Sequence, residues 1–131
     1  MKKLGFIGMG NMAQALAMGF INAKAIAKEN VYAYAPHQDK LRKNAETIGF
    51  TPLATLTELA QSVDTLVMAC KPYQIEAVIQ ELGEALKGKA LISIAAGWDI
   101  ARYRQFITTN TRLQFIMPNT PAMVGEGVLL F

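Results

Sequence analysis

This sequence contains five short apolar runs, and several of them are apolar at consecutive positions instead of alternating between apolar and polar residues. A strand with one exposed face shows that alternation, whereas a strand covered on both faces does not. Strands of the second kind occur in parallel sheets that have helices packed against each side. We therefore predict strands at Leu4–Ile7 and Val31–Tyr34 and at residues 65–69, 90–94 and 113–117.

Longer amphipathic stretches separate these runs and predict helices. One of them carries Leu41, Ala45 and Ile48 at spacings of three and four residues, and Gly49 follows as a plausible helix end. Asp99 can cap the last helix. The helices are predicted at residues 12–22, 39–48, 57–62, 74–86 and 99–106. Alternating strands and helices predict a doubly wound α/β fold, a mainly parallel sheet with helices on both faces, in one domain over residues 1–131.

The composition indicates a folded protein without a membrane span. Of the 131 residues, 52% are hydrophobic and 18% are charged, which excludes a disordered chain. No apolar run reaches the roughly 18 residues of a transmembrane helix. The first residues resemble a signal peptide, but Gly8, Gly10, Asn11 and Gln14 interrupt the apolar stretch. We therefore expect a cytoplasmic protein. The single cysteine, Cys70, cannot form an internal disulfide, which agrees with a reducing compartment.

The net charge of +3 comes from lysines and arginines that are scattered between carboxylates. Because no basic stretch is interleaved with aromatic residues, we expect no nucleic-acid partner. We also expect no membrane partner and no metal site. A mildly basic surface suits a small anionic ligand, although an ordinary solvated surface explains the charge as well.

A glycine-rich turn, Gly8-Met9-Gly10-Asn11-Met12-Ala13, directly follows the first predicted strand. In such a turn Gly8 allows a tight bend, Gly10 lets the backbone approach a diphosphate, and Ala13 permits close packing of helix on strand. The helix that begins here directs free N–H groups and the positive end of its dipole at the phosphates. The turn therefore predicts dinucleotide binding by Gly8, Met9, Gly10, Asn11 and Met12.

The end of the second strand indicates which dinucleotide binds. An NAD site has an acidic residue there for the ribose 2′-hydroxyl, but this chain reads Tyr34-Ala35-Pro36-His37-Gln38-Asp39-Lys40, with no acid at the strand tip. His37, Lys40 or Arg42 would attract a 2′-phosphate, which favours NADP(H), with NAD(H) as the other cofactor considered. A solvated helix face is the alternative reading of Lys40 and Arg42. The residues predicted to bind here are Ala35, Pro36, His37 and Lys40.

Three further loops follow predicted strands at their carboxyl ends, where sheets of this kind bind ligands. In Pro118-Asn119-Thr120-Pro121 the prolines fix φ and hold Thr120 extended, so the loop presents Asn119 and Thr120 stiffly. Lys71 either lines the pocket or points to solvent, and a plain tight turn explains residues 95–97 nearly as well. Cys70 is interpreted as a small core residue and not as a nucleophile. The cofactor-binding residues predicted in these loops are Ala69, Cys70, Lys71, Pro72, Ala95, Ala96, Gly97, Asn119, Thr120 and Pro121.

Taken in order, these segments resemble the pyrroline-5-carboxylate reductase family over essentially the whole chain. Residues 117–122, Met-Pro-Asn-Thr-Pro-Ala, with the Val124-Gly125 that follows, are the most specific part, and Lys71-Pro72 supports them. The resemblance implies a Rossmann domain in an enzyme that reduces Δ1-pyrroline-5-carboxylate, a small imino acid, to L-proline. It also implies hydride transfer from NADPH to the C=N carbon. Because the cofactor carries the chemistry, no catalytic residue is assigned.

Full members of that family continue into an all-helical domain that makes the dimer and supplies most of the substrate pocket. We expect these 131 residues to lack that domain, and so to bind NADPH but to reduce the imino acid weakly or not at all. A homo-oligomer is expected where the helical domain is present. Two alternatives stay open: a related dehydrogenase of the β-hydroxyacid type, and a regulatory module that binds NADP(H) without catalysis.

Overall fold

A computed structural model describes residues 3–94, 100–107 and 111–115 of the chain. Within these residues one sheet contains six parallel strands in the order β3-β2-β1-β4-β5-β6. The strands are β1 (Leu4–Ile7), β2 (Val31–Tyr34), β3 (Thr51–Leu53), β4 (Thr65–Met68), β5 (Ala90–Ser93) and β6 (Arg112–Phe115). The helices are α1 (Asn11–Asn22), α2 (Gln38–Ile48), α3 (Leu56–Ser62), α4 (Ile75–Leu82) and α5 (Ile100–Phe106).

Helices cover both faces of this sheet, which confirms the doubly wound prediction. Every residue of β1 and β4 is buried, as expected for strands between two helical layers. Leu4 and Phe6 pack into one apolar cluster with residues of α1 and α2, whereas Ile7 packs into a second cluster with residues of α3, α4 and α5. None of the helices in the described part of the chain has the length and apolar character that crossing a bilayer requires.

The predicted elements agree with the structure to within about a residue at most of their ends. Three helices, α1, α2 and α3, begin one residue earlier than predicted, while β4 and β5 end one residue earlier. Gly49 ends α2 as expected: its φ is 103°, and its N–H donates to the Ala45 carbonyl at 2.7 Å. The proposed cap Asp99 and residues 116–117 of the last predicted strand lie outside the described residues.

Two predictions were wrong. The strand β3 was missed because it has only three residues and contains Pro52, and a strand this short and half-exposed has no apolar run. Proline is tolerated there because β3 is the edge strand next to β2, so a missing N–H costs no ladder bond on the outer side. The single helix predicted over 74–86 ends at Leu82, since Gly83 takes a positive φ of 49° and a 3-10 turn follows over Gly83–Leu86.

Candidate functional site

Strand β1 is the point at which the order of strands reverses. It pairs with β2 on one side and with β4 on the other, although β4 is three strands later in the chain. In open α/β sheets, the crevice outside the carboxyl ends of such neighbouring strands is where ligands bind. The glycine-rich turn, Gly8 to Ala13, begins directly at the carboxyl end of β1.

Gly8 is fixed between the ends of two neighbouring strands. Its N–H donates to the Tyr34 carbonyl of β2 at 2.7 Å, and its φ is +93°. A Cβ atom added at Gly8 would lie 3.0 Å from backbone atoms of Ala69 and Cys70, beyond β4. Positive φ and this close approach both exclude a side chain, so the tight bend expected at Gly8 is present.

Gly10 differs, because the space beside it is open. A Cβ atom added there would meet nothing within 4 Å among the described residues. Gly10 is also the N-cap of α1 and provides no side-chain cap. The first intrahelical bond runs from Gln14 N to Gly10 O at 3.0 Å, so the N–H groups of Asn11, Met12 and Ala13 precede it. Open space in front of free N–H groups at the positive end of a helix dipole fits a diphosphate.

Within the turn, Met9 is buried and Asn11 and Met12 are exposed. The Gln14 side chain steadies this backbone, because its Nε2 donates to the Met9 carbonyl at 3.1 Å. Gln14 was not predicted as a site residue. Its contact depends on the fold of the turn, and the sequence contains no local pattern that reports it.

The segment after β2 lies beside the glycine-rich turn at the same edge of the sheet, because β2 pairs directly with β1. Ala35 is half-buried, and Pro36, His37 and Lys40 are exposed. A surface depression is lined by Pro36, His37, Gln38, Asp39 and Lys40. Three of the four residues that the sequence assigned to the ribose end, Pro36, His37 and Lys40, therefore line this depression, and Ala35 directly precedes them.

The charges around this depression are not equivalent. Arg42 donates to the Asp39 carboxylate at 2.9 Å, so its guanidinium is already engaged. In the described part of the chain, the side chains of His37 and Lys40 make no hydrogen bond or ion pair. His37 and Lys40 are therefore available to an anion, whereas Arg42 must first leave Asp39.

Gln38, the first residue of α2, was not predicted as a site residue. Its Nε2 donates to the Ala35 carbonyl at 2.8 Å and to the Leu53 carbonyl at 3.4 Å. The second bond reaches β3, the strand that the sequence pattern did not reveal. The bond to Leu53 is possible only because β3 pairs with β2, so no local sequence pattern could have predicted it.

The loop after β4 borders the turn on its other side. The Ala69 N–H donates to the Ile7 carbonyl at 2.9 Å, so this loop starts level with the glycine-rich turn. Lys71 and Pro72 are exposed, and Lys71 begins a tight turn in which Gln74 N donates to its carbonyl at 2.8 Å. These positions place Lys71 and Pro72 at the edge of the crevice.

Cys70 is half-buried, and burial raises the pKa of its thiol to about 11. Its Sγ lies 3.6 Å from Met68 Sδ. A thiol that stays protonated at neutral pH is a weak nucleophile, which supports the reading of Cys70 as a packing residue.

Tyr103 of α5 is a buried polar residue that sequence reasoning did not single out. Its hydroxyl lies 2.6 Å from the Ser93 Oγ, in a hydrogen bond that joins α5 to the last residue of β5. Burial raises the pKa of Tyr103 to about 12, although the Ser93 bond acts in the opposite direction. The predicted residues after β5 and β6, Ala95, Ala96, Gly97, Asn119, Thr120 and Pro121, lie outside the described residues.

A parallel sheet in this order, with a glycine turn and an uncapped helix at its point of reversal, defines a domain of the Rossmann type. The model of the family described as "NADP oxidoreductase coenzyme F420-dependent" matches residues 3–97. The chain belongs to this family.

Curated relatives carry a more specific name. The chain is 36% identical to the pyrroline-5-carboxylate reductase of Treponema pallidum, over 97% of the chain and 49% of that protein. It is 32% identical to the Escherichia coli enzyme of the same name, over 97% of the chain and 48% of that enzyme. The chain thus spans about half the length of the curated relatives it matches.

Solved structures agree with these relatives. A Plasmodium falciparum pyrroline carboxylate reductase with NADP bound is 35% identical, with a TM-score of 0.82 over 95% of this chain and 45% of that one. The Coxiella burnetii pyrroline-5-carboxylate reductase is 30% identical, with a TM-score of 0.84 over 94% and 46% of the two chains. The resemblance drawn from the loop sequences is thereby confirmed.

Proposed function

We propose that this chain is the NADP(H)-binding part of a pyrroline-5-carboxylate reductase, and that the whole protein reduces Δ1-pyrroline-5-carboxylate to L-proline. The observation that carries the proposal is the open, uncapped start of α1 at the carboxyl end of β1. It supplies a diphosphate site at the position where Rossmann domains hold one. The names of the relatives supply the substrate class.

The features after β2 support NADP(H) over NAD(H). The strand tip bears no carboxylate, and His37 and Lys40 are exposed beside the depression. Because a 2′-phosphate carries negative charge, it favours a site with an exposed lysine and an imidazole N–H over one with an acidic residue at the strand tip. The Plasmodium falciparum relative, which has NADP bound, supports the same preference.

In the proposed reaction, the reduced nicotinamide, when bound, supplies a hydride to the carbon of the cyclic C=N bond. The proposed role of this chain is to bind the cofactor and to orient its nicotinamide ring. The N–H groups of Asn11, Met12 and Ala13 would hold the diphosphate, and the carboxyl ends of β4, β5 and β6 would border the nicotinamide. Residues 95–97 and 119–121 stay predicted cofactor contacts, on the basis of the sequence alone. No residue of the chain is assigned to proton transfer.

The remaining features of the proposal concern the whole protein. Residues 1–131 form one dinucleotide-binding domain, the full-length reductase is a homo-oligomer, and it acts in the cytoplasm on a small imino acid. The assignment of one domain is supported by the single six-stranded sheet of the described residues, and the chain matches about half the length of each relative.

The proposal is tested by substituting Gly10 with valine and titrating the chain with NADPH, followed by cofactor fluorescence. Gly10 has φ −77° and free space at its Cβ, so Gly10→Val should still fold, and its Tm should fall by no more than about 5 °C because valine is a weaker N-cap. The valine would fill the space required by the diphosphate, and binding should weaken by about tenfold or more. Ala77→Val, on the exposed side of α4, is the matched control.

Equal NADPH affinity of the wild type and Gly10→Val would contradict the proposed site. The reaction itself is tested by following NADPH oxidation with pyrroline-5-carboxylate and with a β-keto acid, using the full-length gene product. Faster turnover of the keto acid would assign the protein to the β-hydroxyacid dehydrogenases, and turnover of neither would leave a binding module.

A further inference from the structure

We propose that Gln38 determines the preference for NADPH over NADH by holding the segment Ala35–Pro36–His37 in the position that receives the 2′-phosphate. This inference rests on the proposed function and names a positioning residue within it. Gln38 acts through the backbone around the phosphate and needs no contact with the phosphate itself.

The first step of the argument is the pair of hydrogen bonds that Gln38 donates. They end on two backbone carbonyls, Ala35 O at 2.8 Å and Leu53 O at 3.4 Å. Ala35 directly follows β2 and Leu53 is the last residue of β3, and these strands are paired in register at Tyr34 and Leu53. One side-chain amide thus joins the start of α2 to the ends of both strands.

The second step is the absence of a local cap at this helix. His37 is the N-cap of α2, with φ −85° and ψ 87°, and its side chain makes no cap hydrogen bond. A side chain that caps its own helix would fix the segment locally. Here Gln38 fixes the segment instead, through its hydrogen bonds to carbonyls at the ends of β2 and β3.

The third step concerns what this segment presents. His37 and Lys40 are exposed and lie with Gln38 along the same depression. Asp39 and Arg42 also face this helix end and pair with each other, so their charges largely cancel. The position of His37 and Lys40 relative to the ribose therefore controls how well a 2′-phosphate is held.

Gln14 provides an internal comparison. It is a glutamine of α1 that also donates to a backbone carbonyl, that of Met9, but in the glycine-rich turn. The diphosphate is present in both dinucleotides, whereas the 2′-phosphate is present only in NADPH. Loss of the Gln14 bond should therefore affect both cofactors alike, and loss of the Gln38 bonds should affect NADPH alone.

The experiment measures Kd for NADPH and NADH with the wild-type chain and the variants Gln38→Met, Gln14→Met and Gln80→Met. Methionine keeps the length of glutamine and removes the donor. For Gln38→Met we expect the ratio of the NADH to the NADPH dissociation constant to fall by about fivefold or more, with NADH binding unchanged within about twofold. Gln14→Met should leave the ratio unchanged, and so should Gln80→Met, which alters an exposed residue of α4.

An unchanged ratio in Gln38→Met, or equal loss of both cofactors, would overturn the inference while leaving the proposed function intact, because the wild type still binds. A wild-type chain that binds neither dinucleotide while showing a folded circular dichroism spectrum would overturn both. A Gln38→Glu variant gives a second readout if methionine unfolds the helix end. A glutamate keeps the length, cannot donate when ionised and adds negative charge, so its ratio should fall further than that of Gln38→Met.

Discussion

The ion pair between Asp39 and Arg42 lies in the first turn of α2, at the end of the helix proposed to meet the 2′-phosphate. The side chains are 96% and 63% exposed, respectively, so solvent screens their attraction and the pair contributes little to stability. A carboxylate in the first turn interacts favourably with the positive end of the helix dipole, but it repels an anion that binds at the same end. At the scale of single residues, Asp39 is therefore expected to weaken binding of the 2′-phosphate that His37 and Lys40 attract.

Replacing Asp39 with asparagine should strengthen NADPH binding. The substitution removes a negative charge beside the proposed 2′-phosphate position and releases Arg42 from its ion pair. Since exposed ion pairs contribute little free energy, we expect the Kd for NADPH to fall by about two- to fivefold. NADH affinity should stay unchanged. Glu46→Gln, which removes an exposed carboxylate near the other end of α2, is the control. Weaker NADPH binding by Asp39→Asn, measured by the same titration, would show that the carboxylate supports the site.

At the scale of elements, the sequence predicted what depends on local spacing and missed what depends on pairing. The helix α2 and its end at Gly49 follow from neighbouring residues alone. The strand β3 exists because it pairs with β2, and Gln38 acquires a role only because Leu53 is brought beside it. The glycine-rich turn was predictable because its chemistry is contained in six consecutive residues, Gly8 to Ala13. The end of α4 before Gly83 was not predictable, because the apolar stripe of the helix continues past Gly83 to Leu86.

The helix α3 offers a direct test of local capping. The Thr55 side chain accepts a hydrogen bond from Glu58 N at 3.1 Å and donates to Glu58 Oε1 at 3.2 Å. Thr55→Ala should lower the free energy of unfolding by about 1 kcal/mol, as loss of an N-cap does. Urea denaturation measures this change. Thr57→Ala, at an exposed position within the same helix, should be neutral or slightly stabilising, and an equal loss in both variants would refute the capping role.

At the scale of the whole molecule, the sheet separates two apolar clusters, and weakly acidic groups are buried in the second one. Cys70 packs at its border and Tyr103 lies within it. Burial holds the pKa of the thiol near 11 and that of the phenol near 12, above their ordinary values of 9.0 and 10.0. The folded state therefore keeps protons that the unfolded state has already released.

Stability should consequently fall as the pH rises above about 9. Between the unfolded and folded pKa values the unfolded state binds fewer protons, so the free energy of unfolding decreases with pH, first through Cys70 and then through Tyr103. In urea denaturation, the difference between the wild type and Cys70→Ala should be constant between about pH 6 and 8 and should shrink toward about pH 11. A difference that stays constant over the whole range would contradict the raised thiol pKa.

The two glycines of the turn differ in the room around them, and this difference separates two kinds of genetic defect. A Cβ atom at Gly8 would lie 3.0 Å from backbone atoms, whereas a Cβ atom at Gly10 would meet no atom of the described residues within 4 Å. A library of variants screened only for solubility would thus discard substitutions at Gly8 and retain those at Gly10. A screen for NADPH binding would eliminate substitutions at both glycines. Comparing the two screens would therefore distinguish residues required for folding from residues required for cofactor binding.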